Sequence, residues 1–128
     1  MQKQLQQYFG CKVKIAEYKN KLQLPIFMTM RDIMMVEIYG VNFAIIDVVK
    51  EMELSVAAMK KQKAKYEEAL QCPAAYEVAL NSVSMRNVLV KSGVPFVDLP
   101  GNVFLPFMEI VLLDVYLKQL VKADKMMP

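Results

Sequence analysis

The sequence predicts an α/β domain, a mixed β-sheet with flanking helices. Three observations carry that reading. Residues 34–48 form two apolar runs that turn at Gly40, as a hairpin does. After them, segments with helical spacing of apolar residues alternate with short apolar runs bounded by Gly and Pro, the pattern of a sheet with helices packed on it. The 128 residues, 55% hydrophobic and 23% charged, suit one globular domain over residues 1–128.

Taken in order, residues 2–9 read as a helix with Leu5, Tyr8 and Phe9 on one side and glutamines on the other. Gly10 ends it, since glycine tolerates positive φ. Val13, Ile15 and Tyr18 alternate with polar residues as a strand does. Asn20–Lys21 is a turn, and residues 22–28 read as a second extended run through Pro25, which must sit at an edge or bulge because it cannot donate to a ladder. The hairpin follows, with Gly40–Val41 at its centre and glycine in the first central position of a type II′ turn. Ala44, Ile45 and Ile46 form a continuous apolar run, which predicts a central strand covered on both faces.

Ser55 is a candidate N-cap for a helix to about Leu70, with Val56, Met59, Tyr66 and Leu70 on its inner side. Pro73 stops it. Residues 75–80 form a strand, Asn81 or Ser82 caps a helix through Met85, Val88 and Leu89, and Gly93 closes it. Residues 94–97 and 103–105 are strands joined by Leu99-Pro100-Gly101-Asn102, where Pro100 and Gly101 suit the two central positions of a type II turn. A last helix runs from about 107 to 125. This order of elements resembles the core of restriction-endonuclease-like folds.

Composition narrows the chemistry. There is no histidine, so the usual general base near neutral pH and the commonest zinc ligand are both missing. Ser-His-Asp and Cys-His arrangements cannot be built. A metal-dependent nuclease would need paired carboxylates beside a lysine, and the candidates are Glu37, Asp47 and Lys50. Asp47 and Lys50 are separated by an odd offset, which on a strand puts them on opposite faces. No catalytic, metal or cofactor site is therefore expected. Met28, Met30, Met34 and Met35 cluster around one strand, but Met34 and Met35 must point to opposite faces, so core filling accounts for them better than a soft-metal site.

Charge says little about partners. The net charge is +3, with five lysines against one glutamate in residues 1–22, and Lys60, Lys61, Lys63 and Lys65 against Glu67 and Glu68 in residues 55–70. Both groups read as solvated faces; the lysine-rich helix leaves nucleic-acid binding as one alternative. Cys11 and Cys72 are far apart in sequence and read as reduced, buried thiols of a cytoplasmic protein. The N-terminus has no apolar signal core behind it, and residues 103–117 are interrupted by Pro106, Glu109 and Asp114, so no membrane span is expected.

Several stretches carry a resemblance: Leu24-Pro25-Ile26-Phe27, the strand ending Ile45-Ile46-Asp47, the stretch from Arg86 to Gly93, and above all Val94-Pro95-Phe96-Val97-Asp98-Leu99-Pro100-Gly101-Asn102-Val103-Phe104-Leu105-Pro106. Across residues 5–110 the chain resembles the N-terminal domain of a bacterial family described as MarR-like transcriptional regulators. The resemblance implies a non-enzymatic regulatory, docking or dimerisation domain with no catalytic residues to carry over. It also implies a winged helix beyond this domain, so that this part would meet DNA only indirectly; the chain ends at Pro128, where that winged helix would begin. The relatives tend to carry polar residues after the Leu-Pro motif, where this sequence has Val111 and Leu113. The alternative reading is an active or degenerate nuclease of the restriction-endonuclease-like kind.

The last helix is apolar on more than one side. Ile110, Leu113, Leu117, Leu120 and Val121 follow helical spacing and are expected to face the domain's own core. Met108, Val111, Leu112 and Val115 fall on other sides and are expected to meet a second copy, as in a homodimer, or the winged-helix domain.

Overall fold

The computed structural model describes residues 1–51, 54–80, 82–99 and 101–126. Its centre is a six-stranded mixed sheet whose spatial order follows the chain: β1 (Lys14–Glu17), β2 (Ile33–Ile38), β3 (Val41–Asp47), β4 (Ala74–Glu77), β5 (Phe96–Asp98) and β6 (Asn102–Phe104). β1, β2 and β3 pair antiparallel, β3–β4 and β4–β5 pair parallel, and β5–β6 is antiparallel again. The expected α/β class with a mixed sheet and flanking helices is the one observed.

Helices α1 (Gln2–Phe9), α2 (Ile26–Thr29), α3 (Val56–Leu70), α4 (Val83–Lys91) and α5 (Glu109–Met126) cover the sheet. Right-handed crossovers that step one way along a sheet place their helices on one face, and α3 and α4 do share a face. There Met59, Tyr66 and Leu89 pack on Ala44, Ile46, Tyr76 and Phe96. The alanines of β3 and β4 leave room for these large side chains. On the other face Leu5 of α1 and Leu105 and Met108, ahead of α5, close over Val36, Phe43, Ile45 and Val97. β3 is thus buried on both faces, as its apolar run predicts.

The helix ends are set where the sequence places them. Ser55 and Ser82 accept the N–H groups of Ala58 (3.1 Å) and Met85 (3.2 Å). Asn81, the other candidate cap, lies outside the described residues. Gly93, at φ 70°, closes α4: its N–H donates to the Val90 carbonyl, and that of Val94 donates to the Leu89 carbonyl, the two bonds of a Schellman motif. Gly10 has φ 66° at the end of α1.

Three expectations are corrected. The hairpin turn is one residue earlier than expected: Ile38 pairs with Val41, and the central residues are Tyr39 (φ 51°) and Gly40 (φ 79°). Two positive φ values make it a type I′ turn, with Gly40 second. Tyr39 tolerates the left-handed region there while its hydroxyl donates to the Phe9 carbonyl (3.2 Å), tying the turn to α1. Residues 22–28 are not an extended run. Residues 21–23 form a 3₁₀ turn and Pro25 starts α2, its carbonyl accepting the Met28 N–H. Proline's fixed φ suits a helix start as well as an extended run. Third, the faces of α5 are exchanged, as described below. β5 and β6 do pair antiparallel, with Asp98 opposite Asn102. Pro100 lies outside the described residues, and with it the expected turn type.

Candidate functional site

The carboxylates considered for metal chemistry are not brought together. Glu37 pairs with Asn42 across the hairpin and reaches Lys14 of β1 at 3.7 Å. Asp47 is five residues further along β3, about 16 Å away at the rise of a strand. Its neighbour is Glu77 of the parallel strand β4. Burial pushes the Glu77 carboxyl up, Asp47 adds to that, and the N-terminal amino group works against it. Asp47 also accepts the Val49 N–H (2.9 Å), which turns the chain at the end of β3. Asp47 and Lys50 do line one surface cavity of about 520 Å³, with Phe27, Met30, Arg31 and Glu51. Among the described residues no three acidic, cysteine or histidine side chains are grouped to hold a metal ion.

The main polar feature of that cavity is Arg31, which no local sequence pattern marks. Its guanidinium grips both oxygens of Glu51 (2.6 and 2.8 Å) and donates to Gln62 and to the Tyr66 hydroxyl (3.3 Å). Its side chain is only 11% exposed. Burial alone would lower its pKa, but the hydrogen bonds to Glu51 and Tyr66 outweigh this and hold the charge more firmly than usual. The arginine ties the segment before β2 to the segment after β3 and to α3. Four of its five N–H donors are taken up by these protein groups, so it reads as a latch.

The lysines of α3 are partly engaged. Lys63 pairs with Glu67 at 2.8 Å, and Lys65 sits over the Phe27 ring at 5.7 Å. Lys60 and Lys61 are exposed. Met34 and Met35 do point to opposite faces, and Met28, Met59 and Met108 fill the core. Both cysteines are free, and they are half-buried rather than buried as expected.

A second cavity, of about 490 Å³, opens where β3 and β4 end, between the starts of α3 and α4. Its walls are mostly apolar, including Leu54, Met59, Leu80, Met85 and Leu89, with Glu51 and Ser82 as polar members. The Ser82 side chain already caps α4.

Among the described residues, α5 carries a row of outward apolar side chains. Of the residues expected at an interface, Met108 is fully buried, Leu112 packs on the inner core, and Val111 and Val115 are half-buried. The residues expected to face the core point outward: Ile110 is 84% exposed, and Leu113, Leu117, Leu120 and Val121 are also exposed, with Tyr116 beside them. Helical spacing identifies two apolar stripes but does not say which one meets the sheet. The geometry decides it, because the turn at Pro106–Met108 drives Met108 into the core and brings Leu112 in behind it. From Tyr116 to Lys122 the helix is exposed on all sides. No helix among the described residues is long and apolar enough to cross a membrane.

Comparison with protein-family models, with curated proteins and with solved structures finds no match to this chain.

Proposed function

We propose that the chain is a non-catalytic docking domain of a transcriptional regulator, working through the outward face of α5. The observation that carries this is the row of six exposed apolar side chains on one helix, which from Tyr116 to Lys122 is exposed on every side. A free helix of that length is marginal in water, and an apolar patch on this scale marks an interaction surface. The resemblance of residues 94–106 to MarR-like regulators supports the regulatory class. On this reading the domain meets DNA only indirectly, through a winged helix.

The test is one variant measured two ways. Leu113→Lys with Leu117→Lys should keep the unfolding midpoint of the parent at high dilution and lose the associations the parent makes. A variant that no longer folds would place this face in the domain's own core and overturn the reading.

A second reading, a nuclease of restriction-endonuclease-like kind, has one observation in its favour: Asp47 and Lys50 share a cavity. Mg²⁺-dependent plasmid cleavage that disappears with Asp47→Ala would establish it in place of the docking domain.

A further inference from the structure

We propose that the partner on this face is a second copy of the chain, docked with its α5 antiparallel to the first. The proposal rests on the docking reading and names its occupant. Ile110, Leu113, Leu117 and Leu120 are spaced three and four residues apart, the a and d positions of a heptad seam. All four are exposed, on the side away from Met108 and Leu112, which hold the start of the helix to its own domain. A seam of this kind is complementary to itself. Laid antiparallel about the middle of the seam, at residue 115, it sets Ile110 against Leu120 of the partner subunit and Leu113 against the partner's Leu117. Four apolar layers result, with Tyr116 and Val121 beside them. The six side chains present on the order of 600 Å² per copy, so pairing would bury about 1,200 Å², enough for a specific interface.

Charge chooses the direction. Flanking the seam are Glu109 and Tyr116 on one side and Asp114 and Val121 on the other. A parallel pair would set Glu109 of each copy beside Asp114 of the other, two like-charge contacts. The antiparallel pair separates Glu109 from Asp114 and leaves one like-charge contact, between the two copies of Asp114, each of which keeps Lys118 of its own helix at 3.0 Å. Antiparallel helices also oppose their dipoles favourably.

The experiment uses Ile110→Cys and Leu120→Cys variants of the whole chain, alone and mixed, under mild oxidation. Disulfides are identified by peptide mass, so that Cys11 and Cys72 stay in place. In the antiparallel pair the two copies of residue 110 are about 15 Å apart along the helix axis, too far for a disulfide. The mixture should therefore give the 110–120 disulfide, and neither variant alone a disulfide at the new position. Sedimentation of the parent at tens of micromolar should show a dimer, and Leu117→Lys should raise its dissociation constant roughly a hundredfold while leaving the circular dichroism of the domain unchanged. Crosslinking of each variant with itself would show a parallel pair and overturn the proposal. A parent that stays monomeric would overturn it too, while leaving the docking face open to a different protein. Loss of fold on Leu117→Lys would overturn both.

Discussion

The two long helices make opposite use of similar lengths. α3 has 15 residues and is tied at every point: Ser55 caps it, Met59 and Tyr66 are buried beneath it, and its Glu67 carboxylate accepts the Ala74 N–H (3.2 Å) at the start of β4. Its outward face is largely lysine and glutamate. α5 has 18 residues, packs on the domain through its start, is exposed on every side from Tyr116 to Lys122, and shows apolar side chains to the outside. α3 has one apolar stripe and one place to bury it. α5 has two stripes, and the domain covers one. The lesson is that amphipathic helices report how many surfaces they meet, and a helix with more apolar faces than its domain can cover carries information about a partner.

The strongest test of this contrast is Tyr66→Ala. It empties a fully buried aromatic site and removes a partner of Arg31, so it should destabilise the domain by roughly 3–5 kcal/mol, read from the urea midpoint. A loss under 1 kcal/mol would mean that α3 is held less firmly than its packing indicates. Arg31→Ala comes next. It releases Glu51 and Gln62, and its cost should be about 1–3 kcal/mol, since Glu51 keeps access to water. Arg31→Lys should recover only part of this, because an ammonium cannot reproduce the two-pronged grip on Glu51.

Alkaline pH probes the same region. Burial raises the phenols of Tyr76 and Tyr66; at Tyr76 the neighbouring Tyr66 adds to it, while at Tyr66 the Arg31 hydrogen bond opposes it. A phenol held above its unfolded value binds its proton more tightly in the fold. Its contribution is present in full below about pH 10 and is lost as the pH rises through the folded-state value, by at most about 1.4 kcal/mol per pH unit for each group. Denaturation midpoints should fall above pH 10 in the parent and fall less steeply in Tyr76→Phe. An equal slope in the two would mean that Tyr76, whose hydroxyl donates to the Met59 carbonyl at 2.6 Å, ionises as easily folded as unfolded.

Much of the α3 half was legible in the sequence. A serine before an amphipathic run, a glycine after one and a continuous apolar strand each have one local physical meaning, and Ser55, Gly93 and residues 44–46 behave accordingly. The failures are where local chemistry permits two outcomes. Pro25 suits an extended run and a helix start alike. Tyr39–Gly40 and Gly40–Val41 both offer a glycine to a tight turn, and the cross-strand register chooses between them. Arg31 could not be found because its partners come from positions 20 to 35 residues away. On α5 both stripes were visible and their assignment was not, since it depends on how the 3₁₀ turn at Pro106 aims the helix.

The smallest expected effect is the most pointed test of α5. Leu117→Ala, measured below one micromolar so that no association contributes, should change the unfolding free energy by less than about 0.5 kcal/mol. Leu117 is half exposed and lies where the helix has no cover, so truncating it leaves no cavity in the domain. Alanine is the better helix former, which offsets the little apolar burial that the leucine provides there. The equivalent change on the inner stripe, Leu112→Ala, should cost about 2 kcal/mol or more, because Leu112 packs against the core around Met108. The ratio of the two matters more than either value. If Leu117→Ala cost as much as Leu112→Ala at that dilution, both stripes of α5 would belong to the domain itself, and the contrast with α3 would disappear.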